Sequence, residues 1–435
     1  MGMAEHGRGT GPAARGDGHG RGHGGAGRWR ATAVRVVALA LAGAGLVGVT
    51  APVAGALGTA GPSGAVAVTG TQDAAPDAVG RGPGRGPDTR LLNEALNGIV
   101  QGGGVSAALA RVGDHGRTLW KGAAGLADRT TGAPATAEGR FRIGSVTKTF
   151  VSTVALQLVA EGRIGLDDPV ERLLPGAVPN GADITLRQLL GHTSGVFNYT
   201  EDDAFDIERP GAIEHWLESG RYTRWTPQQL VALANAHPAY FAPGQGFHYS
   251  NTNYVLVGQI IERATGRSWQ REVERRVIRP LGLTGTSMPD HATGIPGPHA
   301  HGYYELPSGP ADVTELDPSM AGASGAGIST TADLNTFITA LIGGRLLPRP
   351  QLAEMMAVTP QSGGRYGLGL ERTATDCGVL WGHGGGIPGY STVLYTTADL
   401  RRQLAVSMNG TGGVETPPAT REAYDRLEAA GTCAG

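Results

Sequence analysis

Ser145-Val146-Thr147-Lys148 sets a hydroxyl and an amine three residues apart at the head of an apolar helix pattern. Residues i and i+3 share a helical face, so the amine reaches the hydroxyl one turn away. Lysine is scarce in this chain. Of its 36 basic residues only Lys121 and Lys148 are lysine, and the rest are arginine. Arginine keeps its proton near neutral pH, whereas a desolvated lysine can lose it and act as a base. The four residues therefore suit a serine nucleophile with its base. At a helix N-terminus, free N–H groups and the dipole also favour negative charge developing on the nucleophile or an oxyanion.

Two further constellations carry chemistry. Tyr249-Ser250-Asn251 stands directly before a helix pattern that starts near Thr252. In an extended segment Tyr249 and Asn251 point the same way. A phenol beside a lysine cation has its pKa lowered and relays a proton, and Asn251 offers a donor and an acceptor to a substrate amide. An asparagine N-cap after an aromatic staple explains the same residues without catalysis. His383-Gly384-Gly385-Gly386 lies in a predicted strand, where glycines let a substrate backbone approach and the Gly386 N–H supplies an oxyanion donor. His23-Gly24-Gly25 repeats that pattern, so alone it says little.

Other patterns lead elsewhere. Gly322–Gly327 lacks the Gly-Lys-Ser/Thr of a phosphate loop and reads as a tight turn beside the site. His299 and His301 have no third ligand at metal-like spacing, so no metal is expected, and no cofactor motif stands out. His192-Thr193-Ser194 reads as a packed helix end, and Glu201-Asp202-Asp203 as a solvated loop. No Gly-x-Ser-x-Gly elbow occurs, which argues against an α/β-hydrolase.

These residues need elements to hold them. Asp88 caps a helix carrying Leu91, Leu92, Ala95 and Ile99. Strand-like runs at Ala107–Val112 and Arg117–Ala124 flank a hairpin signal at 113–116. The helix opened by Ser145 buries one side through Val146, Phe150, Val151, Val154 and Leu158, and ends at Gly162. Residues 165–345 read mostly as helices and loops, including a helix from Thr252 to about Ala264. Strands return at Val379–Gly384, Tyr390–Tyr395 and Gln403–Met408, and a helix over about 420–430 closes the chain. Strands at both ends with helices between them predict one α/β sheet built by the chain termini, plus an all-helical region.

The bulk properties set limits. A net charge of −2 and a pI near 6.6 give no electrostatic case for nucleic acid as a partner. The 72 glycines follow no strict period, which excludes collagen. A polar, basic start, an apolar run from Val36 to Val49 and Ala54-Gly55-Ala56 read as a signal peptide over residues 1–56. The expected protein is secreted, on the cell-wall side, and touches a membrane only if that segment stays uncleaved. Residues 57–87 read as a flexible Gly/Pro-rich stem, and 88–435 as the folded domain. In an exported chain Cys377 and Cys433 can form one bridge.

In order, Ser-x-x-Lys, Tyr-x-Asn and His-x-Gly resemble the penicillin-recognising serine hydrolases. The segments Phe141–Lys148, Leu189–Gly195, Tyr249–Tyr254 and Tyr366–Leu370 share the likeness. They look most like secreted D-alanyl-D-alanine carboxypeptidase/transpeptidases, close in shape to class C β-lactamases. The resemblance implies an α+β three-layer sandwich, an antiparallel sheet flanked by helices, plus an all-helical region. It implies Ser145 as the acylated nucleophile, Lys148 as its base partner and Tyr249 as a proton relay. Asn251 would hold the substrate amide, His383 and Gly385 would belong to the substrate-binding third motif, and the Ser145 and Gly386 N–H groups would form the oxyanion hole. Arg372 would bind a substrate carboxylate, and Cys377 would pair with Cys433. The expected ligands are D-Ala-D-Ala peptides and β-lactams, without cofactor or metal. Esterase, β-lactamase, and D-amino-acid amidase or aminopeptidase activity fit the same residues, and a non-catalytic binding or sensor domain is the reading from another class. Carboxypeptidases of this type carry threonines where this chain has Gly384 and Gly386. Two missing hydroxyls would weaken carboxylate recognition by about 1–3 kcal/mol.

Overall fold

The computed structural model describes residues 86–433 apart from 208, 210 and 411–415. The expected signal peptide and nearly all of the expected stem lie outside the described residues. The first helix spans Thr89–Gln101, and the Asp88 carboxylate accepts from the N–H groups of Arg90 and Leu91 at 3.0 and 3.2 Å. This satisfies donors that a helix start leaves open. Leu92, Ala95, Leu96 and Ile99 form its buried face, whereas Leu91 is exposed.

Strands β1 (Ala107–Asp114) and β2 (Arg117–Asp128) meet through His115 and Gly116 at φ 48° and 80°. That paired positive φ matches the right-handed twist of a tight hairpin. The main sheet adds β3 (Ala133–Pro134), β4 (Glu371–Thr375), β5 (Gly378–Ile387), β6 (Tyr390–Thr397) and β7 (Gln403–Asn409). Its seven strands run in the order β3-β2-β1-β7-β6-β5-β4, each neighbouring pair antiparallel. The join between the two ends of the chain is β1 with β7, where Ala107 faces Asn409 and Val112 faces Leu404.

Both faces of the sheet centre are covered, so β1, β6 and β7 are buried almost throughout rather than alternating with water. Val112, Leu380, Val393, Leu404 and Val406 pack under the first helix and the last, Pro418–Thr432. Leu109, Trp381, Leu394 and Ala405 point the other way, toward the helix Val146–Ala160 and the helical region. The result is the expected three-layer sandwich.

The helix Val146–Ala160 departs from expectation in one respect. It is enclosed on all sides, buried continuously from Val146 to Leu156, instead of burying one face. Its hydroxyls make this possible because each has a partner. Thr149 Oγ1 donates to the Gly369 carbonyl at 2.9 Å, Ser152 Oγ meets Tyr254 Oη at 3.0 Å, and Thr147 Oγ1 accepts from the Gly327 N–H at 3.0 Å. The helix Asn251–Thr265 packs beside it and ends at Gly266. The middle of the chain, expected to be mostly helices and loops, also holds a small hairpin, Tyr303–Leu306 with Gly309–Asp312. Strand β4 was likewise not anticipated.

Cys377, in the turn between β4 and β5, is bonded to Cys433 at the end of the last helix, with a Cα–Cα distance of 5.3 Å and a sequence separation of 56. Closing a loop of that length restricts the unfolded chain by about 4 kcal/mol. Replacing both cysteines with serine is expected to lower unfolding stability by up to about that amount. Denaturant titration of the oxidised protein beside the variant checks this.

Candidate active site

The site begins with a close approach between two backbones. Gly144 has φ 49°, and a Cβ there would lie 2.7 Å from the nitrogen and oxygen of Gly386. On the facing strand, a Cβ at Gly385 would lie 2.0 Å from the Ile143 carbonyl oxygen and 3.0 Å from the Ser145 nitrogen. Only glycine lets β5 run this tightly past the turn that carries Ser145. Gly385, expected among the substrate-binding residues, instead packs against the nucleophile turn. Ser145 itself is half-buried amid buried neighbours, and its hydroxyl makes no capping bond to its own helix.

Lys148 is fully buried, and its amine has three oxygen neighbours. They are Ser145 Oγ at 2.9 Å, Asn251 Oδ1 at 2.7 Å and the Ser324 carbonyl at 2.8 Å. Among the described residues no carboxylate forms an ion pair with it. Burial pushes its pKa well below the ordinary lysine value, with a smaller opposing pull from the Glu371 carboxylate. A neutral amine has two N–H donors and one lone pair. Asn251 Oδ1 and the Ser324 carbonyl can only accept, so they take the two donors. As an ammonium Lys148 donates to all three oxygens, and once it has lost its third proton the lone pair is left for the Ser145 O–H. The turn Gly322–Gly327 thus stands beside the site as expected and supplies one of these acceptors.

Tyr249 and Asn251 both face this amine. The Tyr249 ring centre is 4.8 Å from Lys148 Nζ, and its phenol hydrogen-bonds to Ser145. The expected lowering of the Tyr249 pKa is overturned. Desolvation drives it well above the usual phenol value, against the smaller pull of the Ser145 bond. Tyr249 therefore holds its proton. Asn251 is brought to the nucleophile, but its oxygen accepts from Lys148 and its amide nitrogen donates to Thr200 Oγ1 at 3.2 Å. Only its second amide hydrogen remains for a substrate. Ser250, not Asn251, is the N-cap of the helix.

Sequence reasoning missed the layer behind Tyr249. The His192 ring lies 4.2 Å from it, centre to centre, and His192 Nδ1 accepts the Ser250 N–H at 3.1 Å. Ser194 Oγ donates to Asn253 Oδ1 at 2.7 Å, so the segment Leu189–Gly195 grips the segment Tyr249–Tyr254. Burial, and next the nearness of Lys148, holds the His192 pKa well below the usual imidazole value. Glu201 and Asp202 are tied in rather than simply solvated, accepting from Tyr240 Oη at 2.6 Å and pairing with His237 at 2.7 Å.

His383 is buried, with Nδ1 2.5 Å from the Gly384 carbonyl and Nε2 2.9 Å from Tyr366 Oη. A carbonyl only accepts, so Nδ1 carries the proton and Nε2 receives the Tyr366 hydroxyl. Desolvation lowers its pKa and favours this neutral form. Both nitrogens are already engaged, so His383 offers a substrate neither cation nor free donor. A group absent from the sequence reading stands beside it. Glu371, at the start of β4, accepts the Gly384 N–H at 3.2 Å and lies 3.6 Å from His383 Nδ1. N–H groups on a strand alternate sides, so Gly386 presents its N–H on the same open edge as Gly384. Arg372 pairs in register with Trp381, which puts it on the His383 face of the sheet, one strand out. Among the described residues its guanidinium makes no hydrogen bond or ion pair. His299 and His301 stack 5.5 Å apart, and His301 bonds Asp312 at 2.6 Å. Among the described residues no three potential ligands are placed to hold a metal ion.

Residues 92–429 match the family model described as Beta-lactamase. The chain belongs to that family. It is a serine hydrolase of the beta-lactamase superfamily, with the β-lactamase/transpeptidase-like fold seen above. Among solved family structures, a D-stereospecific amidohydrolase from Streptomyces sp. is 42% identical with a TM-score of 0.70, covering 80% of this chain and 100% of that one. The D-amino acid amidase of Ochrobactrum anthropi SV3 is 29% identical with a TM-score of 0.67, covering 78% and 98%. Esterase EstB of Burkholderia gladioli is 39% identical over 181 residues, which are 40% of this chain and only 45% of the esterase. Penicillin-binding protein 4* of Bacillus subtilis (strain 168) is 26% identical over 338 residues, 72% of this chain and 70% of its own.

Three outcomes follow for this family member. Lys148→Arg keeps a cation that cannot release its proton, so acylation of Ser145 should fall by about 10²–10⁴-fold. In the unaltered protein Lys148 is protonated below its lowered pKa and free to accept above it. The acylation rate should rise with pH through that pKa and level off well below the ordinary 10.5. Stopped-flow acylation across pH checks both. Gly385→Ala forces a Cβ onto the Ile143 carbonyl, and the displaced strand should cost about 10²-fold in acylation. Circular dichroism of that variant should still show the folded state.

Proposed function

We propose that the protein hydrolyses amide or ester bonds of D-amino acid derivatives through an acyl-enzyme on Ser145. The observation that carries this is the Lys148 amine, buried without a counter-ion and 2.9 Å from Ser145 Oγ, with acceptors for both of its hydrogens. In the proposed reaction the Ser145 oxygen attacks the substrate carbonyl as its proton passes to Lys148. The carbonyl oxygen becomes an oxyanion between the Ser145 and Gly386 N–H groups. The bond to the leaving group then breaks, and Tyr249 hands it a proton that Lys148 restores. Water repeats the sequence on the ester and frees Ser145.

The choice of substrate rests on three supports. His383 is neutral and engaged, and Gly384 and Gly386 have no hydroxyls, which leaves the third motif poorly furnished for a carboxylate. The two solved relatives above are named as a D-stereospecific amidohydrolase and a D-amino acid amidase. A curated relative is named as an esterase. The D-alanyl-D-alanine carboxypeptidase reading keeps one specific support, Arg372 on the face of His383. We also read the chain as exported through residues 1–56, and the Cys377–Cys433 bond suits an oxidising compartment.

The test uses the mature protein beside Ser145→Ala, with D-phenylalanine amide, D-phenylalanine methyl ester, an N-acylated D-Ala-D-Ala peptide and benzylpenicillin. Turnover of the amide or ester, absent from Ser145→Ala and at least about tenfold faster than release of D-Ala, is the expected result. Faster release of D-Ala with a lasting penicilloyl adduct by intact mass would install the carboxypeptidase in its place. Rapid loss of penicillin without an adduct would install a β-lactamase. No reaction with any of them would leave a binding domain.

A further inference from the structure

We propose that Glu371 sets which charge the leaving group may carry, rejecting a carboxylate and favouring an amine cation or a neutral group. This rests on the acyl-enzyme reading above. Two observations place the leaving group beside Glu371. The first is the proton route, since the departing atom must meet Tyr249. The Tyr249 ring lies 6.3 Å from the His383 ring, centre to centre, so departure is toward the His383–Gly384 end of β5. The second is the strand edge. From the Gly386 N–H, which faces the oxyanion, the next N–H on that edge is Gly384, about 7 Å along. The Glu371 carboxylate already occupies it at 3.2 Å.

A substrate lying along this edge therefore brings its leaving group against a fixed anion. Glu371 is about one-fifth exposed, so water screens it only in part. The neighbours do not cancel it. His383, 3.6 Å away, has both nitrogens bonded within the protein and favours its neutral form. Burial lowers the Lys148 pKa as well, and its amine is already bonded to three oxygens within the protein. Arg372 is the opposing cation on the adjoining position, and it would favour the reverse selectivity.

Three amides of D-phenylalanine with leaving amines of matched length decide between them. They are the propylamide, the 2-aminoethylamide and the dipeptide D-phenylalanyl-glycine, which leave as neutral, cationic and carboxylate-bearing amines. For the unaltered protein kcat/KM should be at least about tenfold higher for the 2-aminoethylamide than for the dipeptide, with the propylamide between. Glu371→Gln should narrow that ratio to within about threefold, and Glu371→Asp should keep the order. A packing role for Glu371 would lower all three rates together and leave the ratio alone. Should Glu371→Gln fail to fold, the unaltered protein still decides, because equal rates or a preference for the dipeptide overturns the proposal and points to Arg372. Unchanged selectivity in a folded Glu371→Gln overturns it as well. Failure of all three amides and of D-phenylalanine methyl ester would sink the hydrolase reading itself, whereas hydrolysis without charge discrimination would sink only the role of Glu371.

Discussion

An amine buried without a counter-ion is the constraint around which the rest of this structure is arranged. Holding a charged ammonium in a closed interior costs several kcal/mol, so the cheaper state for Lys148 is the neutral one. That state persists only while water and carboxylates stay away. The helix carrying Lys148 is accordingly enclosed on every side, and the hydroxyls that enclosure traps are bonded to Gly369, Tyr254 and Gly327. Asn251 and Ser324 complete the arrangement by accepting from the amine, so that loss of its third proton turns the lone pair toward Ser145.

Neutrality extends beyond the lysine. Tyr249, His192, Tyr366 and His383 form a packed layer in which rings meet tilted or edge to face and each imidazole has a hydrogen-bond role that suits its uncharged form. Cations so close to Lys148 would oppose its reprotonation during the proposed reaction, and desolvation removes them. The layer also explains why the segment Leu189–Gly195, which holds no reacting group, travels with the motifs that do. It clamps the turn carrying Tyr249 and Asn251 through His192 and Ser194.

The sheet supplies the remaining geometry. Strand β4 is short, and its pairing with β5 ends at Glu371 opposite Gly382, leaving Gly384–Gly386 as an unpaired edge. Open edges invite another strand. Here the open length lies against Ser145, because glycine at 144 and 385 allows the two backbones to touch. The same interruption puts Glu371 at the corner of the site. A structural accident of strand length thus decides which charge faces an incoming substrate.

Much of this was legible in the sequence. The scarcity of lysine and the spacing of Ser145 and Lys148 are local facts, since neighbours one helical turn apart meet in any helix. The Asp88 cap, the hairpin at 113–116 and the strands near the C-terminus follow from short-range stereochemistry in the same way. Other features depend on residues far apart in the chain. Whether Asn251 serves a substrate or Lys148, whether Tyr249 titrates low or high, and whether His383 carries charge are all set by burial and by partners from other segments. Glu371 was invisible because nothing near it in sequence marks it, and only the pairing of β4 with β5 brings it to Gly384. The sequence by itself determined which groups could react and the elements that carry them. Tertiary structure alone decided their protonation, because the cost of a charge depends on the water and the partners that folding leaves around it.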